Sequence, residues 1–301
     1  MTRIPRRRPR SLIMLAAVGL LLAAGCSATE PTADTGRDSA APDPGTGHLH
    51  GLGVDPADGT IYAAGHHGVF RLHSGTATRV ADRYQDTMGF TITGPSTFLA
   101  SGHPAPADPD ARSPHLGLIR STDAGRTWQT LSVEGEADFH SLVQAGDVLY
   151  GFDSLSGRVW ASTDTGRSWD RRAKVAALDL ASHPGSATTV WAATGTGLER
   201  STDGGHTFRP VSSARGLVAV EEPAPGSLVA LAADGRVLTV RGDGPWAQLG
   251  RLPEGGQAAV LTAVTAQRLL AADSTDTVYE SVDGGRTWML RHRPATGPEP
   301  H

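Results

Sequence analysis

Short apolar runs separated by turn residues fill the chain from residue 48 to residue 292. The run HLHGLGV is followed by the turn DPADG and the runs TIYAAGHH and GVFRL, and this order recurs five more times. Short runs with regularly spaced Gly, Pro and Asp between them are typical of β-strands. No stretch has the longer apolar period of an amphipathic helix. The pattern therefore predicts an all-β protein made of six similar four-stranded units.

One short motif marks four of these units. It has the form Ser-X-Asp-X-Gly with an aromatic residue three positions later, and its copies comprise Ser121, Asp123, Gly125, Trp128; Ser162, Asp164, Gly166, Trp169; Ser201, Asp203, Gly205, Phe208; and Ser281, Asp283, Gly285, Trp288. The serines lie 41, 39 and 80 residues apart. One decayed copy, with Arg241 at the aspartate position, completes a period of about 40 residues, which is typical of propeller blades. We therefore expect a six-bladed β-propeller.

The residue types of the motif suit a tight turn between the third and fourth strands of each blade. Ser and Asp side chains hydrogen-bond nearby backbone groups, Gly takes a positive φ, and the aromatic side chain packs between sheets. We expect the four aspartates to hold turns rather than to act as catalytic acids.

These motifs resemble the Asp-box repeats of bacterial neuraminidases and other sialidase-like propellers. The chain also resembles exported actinobacterial lipoprotein propellers that carry a glycosyl hydrolase label. The resemblance covers about residues 48–292 and implies the fold rather than an activity. Asp-boxes also occur in sortilin-type receptors, photosystem assembly factors and xyloglucan-cleaving hydrolases, and one fold hosts many functions.

The first 25 residues have the pattern of a lipoprotein signal peptide. An arginine-rich segment precedes the short apolar run Leu12–Ala24. The sequence LAAGC at residues 22–26, where this run ends, resembles a lipobox. Cys26 is the only cysteine, so we expect a lipid on Cys26 that anchors the protein to the outer side of the cell membrane. Residues 26–46 then form a disordered linker, 47–293 the propeller and 294–301 a disordered tail. Export by the general or the twin-arginine route stays open.

The net charge of the chain limits the classes of partner that we expect. The formal net charge is −4, and removal of the arginine-rich leader makes it more negative. Such a surface disfavours nucleic acid. We expect the membrane as a partner through the lipid, and a glycan or an exported protein as a further partner.

The loops that enter the first strand and join the second and third strands of each blade share one face, here called the top face. Unusual residues concentrate at these positions in the first three units. Histidine, methionine and carboxylate side chains are ligands of copper and zinc. The sequence predicts a pocket for such a metal or another ligand, with candidates His48, His50, His67, Met88, His103 and His140. The adjacent residue His66 is also at the top face.

An extracellular glycoside hydrolase is the alternative, with Asp86, Asp138, Asp153 and Tyr84 as candidate catalytic residues. The Phe/Tyr-Arg-Ile-Pro signature of the sialidases is absent from the predicted propeller, and no arginine triad is apparent at its top face. We therefore expect a binding module more than an enzyme.

Overall fold

The computed structural model describes residues 43–212, 214–242, 244–253 and 256–294. The predicted signal peptide, Cys26, most of the predicted linker and nearly all of the predicted tail lie outside these residues. Among the described residues, no helix is long and apolar enough to cross a bilayer.

The described residues form six antiparallel sheets of four strands each. Blade one contains β1 (Leu49–Val54), β2 (Ile61–Gly65), β3 (Gly68–His73) and β4 (Thr76–Arg79), and blade two contains β5 (Asp86–Gly94), β6 (Thr97–His103), β7 (Leu118–Ser121) and β8 (Gln129–Ser132). Blade three contains β9 (Phe139–Ala145), β10 (Val148–Asp153), β11 (Arg158–Ser162) and β12 (Asp170–Lys174), and blade four contains β13 (Ala177–Ala181), β14 (Val190–Thr194), β15 (Gly197–Ser201) and β16 (Arg209–Ser212). Blade five contains β17 (Leu217–Ala224), β18 (Ser227–Ala232), β19 (Arg236–Arg241) and β20 (Ala247–Arg251), and blade six contains β21 (Ala258–Ala263), β22 (Leu269–Asp273), β23 (Val278–Ser281) and β24 (Met289–His292).

The six blades form a ring. Within each blade the strands pair in chain order, and the first strand of each blade contacts the first strand of the next. Strand β21 of blade six returns to β1 of blade one. The prediction of a six-bladed β-propeller is therefore confirmed. The described helical structure is one 3-10 turn, Pro184–Ser186.

The hydrophobic core lies between neighbouring blades. Aromatic side chains fill part of it: the rings of Phe139 and Trp169 lie 4.6 Å apart, and Tyr62 and Phe98 lie 4.8 Å apart. The second strand of each blade buries both faces, so it is a continuous apolar run, such as VWAAT in β14, rather than an alternating one. Small residues allow the inner strands to approach closely: a Cβ on Gly89 would lie 2.5 Å from the Phe139 carbonyl oxygen.

The Ser-X-Asp-X-Gly motifs form the turns between the third and fourth strands of blades two, three, four and six. In blade two the Ser121 hydroxyl donates to Asp123 Oδ1 at 2.8 Å and accepts from the Gly125 amide at 2.8 Å. The Thr127 amide and hydroxyl donate to the two oxygens of Asp123 at 2.9 and 2.6 Å. Gly125 has φ +82°. Burial opposes the charge of Asp123, but these hydrogen bonds outweigh it and lower its pKa to about 2.

The ring closes between blades six and one by side-chain contacts and by one isolated backbone bridge between Gly75 and His292. Asp276 accepts hydrogen bonds from the Leu49 amide at 3.0 Å and the Thr46 hydroxyl at 2.9 Å. The Thr262 hydroxyl donates to the Leu52 carbonyl oxygen at 3.0 Å. Among the described strands none is exchanged between the two blades, because each sheet takes its four strands from one continuous segment.

Candidate functional site

Side chains from blades one, two and three converge at the top face. They come from the starts of β1, β5 and β9, from the β2–β3 turn, from the end of β6 and from the segment between β6 and β7. We call them the histidine–aspartate cluster, which consists of His48, His50, His66, Asp86, His103, His115, Asp138 and His140.

The first half of the cluster joins blade one to blade two. One potential ligand atom each from His50, His66 and Asp86 lies within 4.8 Å of the others. The rings of His50 and His66 stack with their centroids 4.7 Å apart. His50 Nε2 lies 3.9 Å from Asp86 Oδ1, too far for a hydrogen bond.

The second half joins blade two to blade three. One potential ligand atom each from His103, His115 and Asp138 again lies within 4.8 Å of the others. His103 ends β6, Asp138 precedes β9, and His115 lies in the long connection between β6 and β7. The rings of His103 and His115 have their centroids 5.4 Å apart.

The His103 ring connects the two halves. Its Nδ1 lies 3.3 Å from Asp86 Oδ2, and its Nε2 lies 3.6 Å from Asp138 Oδ2. His140 extends the chain of contacts, because its Nε2 lies 3.0 Å from the same Asp138 oxygen. Three blades therefore meet through one continuous series of imidazoles and carboxylates.

Asp138 is held firmly in this position. Its side chain is 5% exposed. The Ser154 hydroxyl donates to Asp138 Oδ2 at 2.8 Å, and the Asp138 amide donates to Asp153 Oδ1 at 2.9 Å. Burial opposes the charge of Asp138, but hydrogen bonds from His140 and Ser154 outweigh it and lower the pKa of Asp138. The residue is therefore a carboxylate at neutral pH.

Four buried polar atoms of the cluster make no hydrogen bond. They are His50 Nε2, Asp86 Oδ1, His115 Nδ1 and Asp138 Oδ1. Each half thus contains one imidazole nitrogen and one carboxylate oxygen that are shielded from water and unpaired. Buried polar groups in proteins normally have partners, and an unpaired one is costly.

His50 is kept neutral by its surroundings. Burial, and then the neighbouring His66 and His48, lower its pKa to about 3. A neutral imidazole has a free lone pair on one nitrogen, which is the form that binds a metal ion.

The structure brings some of the sequence-predicted metal ligands together and separates others from them. His48, His50, His103 and His140 lie within the cluster, where His48 is the exposed member and its ring lies 5.0 Å from that of His50. His67 turns away: its ring faces Gly47, and its carbonyl oxygen accepts a hydrogen bond from Arg79. Met88 lies in β5 and is half-buried.

The candidates for glycoside hydrolysis are also separated. Asp86 and Asp138 belong to the cluster, where each contacts a histidine. Asp153 is fully buried, and its oxygens accept hydrogen bonds from the Asp138 and Ser156 amides. The ring of Tyr84 stacks under the Arg79 guanidinium at 4.0 Å.

Two members of the cluster were not among the sequence-predicted ligands. His66 is adjacent to the predicted ligand His67. In a strand, adjacent residues face opposite sides. Here the two residues form a turn, so strand alternation does not decide which ring faces inward. His115 lies in an irregular connection whose path no strand pattern reveals. Its only sequence signal is its position just before the third strand of blade two.

A central channel of about 600 Å³ runs beside the first strands of the blades, and His50 and His140 line one end of it. Asp179 and Glu221 also line it. Asp179 accepts hydrogen bonds from the Ser141 hydroxyl at 3.0 Å and the Val220 amide at 3.0 Å, and so links blades three, four and five.

The two channel carboxyls resist ionisation. Burial raises the pKa of Asp179 to about 6 despite its hydrogen bonds. Burial, and then the charge of Asp179, raise the pKa of Glu221 well above its usual value. The ionised Asp179 therefore disfavours ionisation of the neighbouring Glu221.

Comparisons with known proteins support the propeller fold but do not identify a family. No family model and no curated protein matches the chain. Solved structures that are similar include a GH74 enzyme from Niastella koreensis, with a TM-score of 0.56 and 17% identity over 81% of this chain and 45% of that one. This chain thus spans less than half of that enzyme.

Two further structures have comparable similarity. YCF48 bound to D1 peptide has a TM-score of 0.53 and 15% identity over 82% of both chains. A chain of a nidogen/laminin complex has a TM-score of 0.60 and 13% identity over 78% of this chain and 93% of that one. At these identities the similarity shows the propeller fold alone.

Proposed function

We propose that this protein is a binding module that takes up a divalent transition-metal ion, zinc or copper, in the histidine–aspartate cluster. The observation that carries the proposal is the set of four buried atoms without hydrogen-bond partners, two imidazole nitrogens and two carboxylate oxygens. Buried imidazole nitrogens and carboxylate oxygens that lie close together without hydrogen-bond partners can serve as ligands of a cation.

The donor set supports zinc or copper(II) over other ions. Each half of the cluster offers two imidazoles and one carboxylate. Imidazole favours zinc, copper, iron and nickel, whereas magnesium and calcium take oxygen ligands. The only cysteine of the chain is Cys26, so the cluster contains no thiolate to favour copper(I).

The predicted lipoprotein leader supports an extracytoplasmic location. We propose that Cys26 carries a lipid and that the linker after it holds the propeller at the outer side of the cell membrane. Replacement of Cys26 by Ser should then release the protein from the membrane fraction. Retention of that variant in the membrane fraction would contradict the anchor.

A glycoside hydrolase is the second candidate. Its support is the location of two carboxylates, Asp86 and Asp138, on opposite nitrogens of one imidazole at an open face, together with the similarity in fold to a GH74 enzyme. The contacts of these carboxylates with histidine favour metal binding over sugar cleavage. Hydrolysis of a glycan at an enzymatic rate by metal-free protein, lost in Asp138→Ala, would favour the hydrolase instead.

The first test is the metal content of the full chain, purified without a histidine tag and loaded separately with Zn²⁺ and Cu²⁺. Mass spectrometry after dialysis should find at least one equivalent of metal, and His103→Ala should reduce it. His206→Ala is the matched control, because His206 is exposed in a turn on the opposite face. Metal at background level in the unmodified protein would refute the proposal.

A further inference from the structure

The cluster contains two ligand sets, and they share no residue. His50, His66 and Asp86 form one set, and His103, His115 and Asp138 form the other. Each set contains two histidines, one aspartate and two of the four unpaired buried atoms. A single ion would leave one of these sets, with its unpaired atoms, unused.

The geometry points to two metal ions coupled through Asp86, one in each set. Asp86 Oδ1 binds the first ion with His50 and His66, and Asp86 Oδ2 accepts a hydrogen bond from His103 and orients that ring toward the second ion. The inference rests on the proposed function, because it states how the same cluster is divided and connected.

The two nitrogens of His103 have different tasks in this arrangement. A proton on Nδ1 is donated to Asp86 Oδ2, which lies 3.3 Å away. The lone pair of Nε2 then faces Asp138 Oδ2 at 3.6 Å. A carboxylate that accepts from one imidazole nitrogen while the other binds metal is a common support of metal sites, because it holds the ring and raises its basicity.

The distances suit an ion between the facing atoms. In the first set the two unpaired atoms, His50 Nε2 and Asp86 Oδ1, are 3.9 Å apart, which exceeds a hydrogen bond. Two ligand atoms about 2.0–2.2 Å from a tetrahedral zinc ion lie about 3.3–3.6 Å apart, so a movement of about 0.3 Å brings both atoms within reach of one ion. In the second set His103 Nε2 lies 3.6 Å from the Asp138 carboxylate, which is again beyond a hydrogen bond.

The second set has its own supports. Asp138 Oδ2 accepts from Ser154, and its Oδ1 is unpaired. His115 Nδ1 is also buried and unpaired. His140 holds Asp138 from the side of blade three. The carboxylate is thus fixed by its neighbours and keeps an oxygen for the ion.

This arrangement makes Asp86 different from every other ligand. Loss of His66 removes a ligand of the first ion only, and loss of His115 removes a ligand of the second ion only. Asp86→Asn removes the charge that binds the first ion and also weakens the support of His103. Loss of such a supporting carboxylate typically lowers metal affinity by about 10- to 100-fold.

The experiment is a Zn²⁺ titration of the metal-free, untagged full chain by calorimetry, with bound zinc measured after dialysis. The unmodified protein and the control His206→Ala should bind two equivalents. His66→Ala and His115→Ala should each bind one, at sites that differ. Asp86→Asn should lose the first site and bind zinc at the second about 10- to 100-fold more weakly than His66→Ala does.

The outcomes separate this inference from the proposed function. One equivalent in the unmodified protein would overturn the two-site arrangement and leave metal binding intact. No bound zinc, together with no bound copper in a parallel Cu²⁺ titration, would overturn both. Equal affinity of Asp86→Asn and His66→Ala for the remaining ion would refute the coupling. His115→Gln, which keeps a polar side chain of similar size, replaces His115→Ala if that variant has lost the native melting transition.

Discussion

Replacement of Asp276 tests how the ring of blades is closed. This residue lies in the turn between β22 and β23 with φ +61° and accepts two hydrogen bonds from the start of blade one. Leu49, which donates one of them, is 1% exposed, so its amide has no access to water when the carboxylate is removed. The substitution Asp276→Gly removes both bonds at the seam and leaves every strand in place.

The expected loss in the free energy of unfolding is about 2 kcal/mol. An unpaired buried amide costs about 1–3 kcal/mol, and the lost bond from Thr46 adds about 1 kcal/mol. Glycine offsets about 1 kcal/mol of this loss, because it adopts the positive φ without the steric cost of a side chain. Alanine offers no such offset, so we expect Asp276→Ala to lose about 3 kcal/mol in the free energy of unfolding.

Equilibrium unfolding in urea at pH 7, followed by tryptophan fluorescence, measures these losses. Asp58→Gly is the matched control, because Asp58 lies in an exposed turn and accepts only a local hydrogen bond from Thr60. We expect a loss under about 1 kcal/mol for this control. Asp276→Asn should also lose under about 1 kcal/mol, since its oxygen still accepts from Leu49.

If the two hydrogen bonds explain the effect, the loss in the free energy of unfolding is largest for Asp276→Ala, intermediate for Asp276→Gly and smallest for Asp276→Asn. Equal losses in Asp276→Gly and Asp58→Gly would show that the carboxylate does not close the ring. A loss in Asp276→Asn as large as in Asp276→Gly would assign the effect to charge rather than to the two bonds.

Three further predictions concern other parts of the propeller. Glu221→Gln should raise the melting temperature at pH 8 but not at pH 4. Because the folded-state pKa of Glu221 is raised, the unmodified protein loses stability as the pH rises above about 4.3, where the unfolded chain releases this proton and the folded protein keeps it. An equal effect at both pH values would contradict this. Gly89→Ala should lower the free energy of unfolding in urea by more than about 2 kcal/mol, because its Cβ would meet the Phe139 carbonyl oxygen. Gly94→Ala on the same strand has open space around its Cβ and should leave that free energy unchanged, so similar losses in the two variants would refute the close approach. Ser121→Ala should lose about 1–2 kcal/mol by calorimetry, because a buried hydroxyl at the motif turn is removed, and no loss would contradict its role.

Much of the fold was predictable because its signals are local. The Ser-X-Asp-X-Gly turn forms within eight residues, from Ser121 to Trp128, so its bonds require no distant partner. Four such turns at a period of about 40 residues established the blade, and the blade established the ring. Blade one lacks the motif and uses a two-residue turn instead, with Ser74 and Gly75 at positive φ. Its strands were nonetheless predictable from their apolar runs.

The site was predictable only by position and residue type. The repeat placed His50, His103 and His140 at one face, and the structure brings them into one cluster. The repeat does not describe the connection that carries His115, because that segment occurs in one blade alone. It also does not show which of two adjacent turn residues faces inward, which is why His66 was missed.

The amino-acid sequence by itself determined the strand pattern, the blade period and the top-face location of the histidines, because each depends on residues close together along the chain. The tertiary structure alone decided the pairing of Asp86 with His103, the four unpaired buried atoms and the contact of Asp276 with blade one. These features join residues of different blades, and their distances depend on how the blades pack around the channel. Packing of this kind is the sum of many weak contacts over the whole ring, so no local pattern of residues records it.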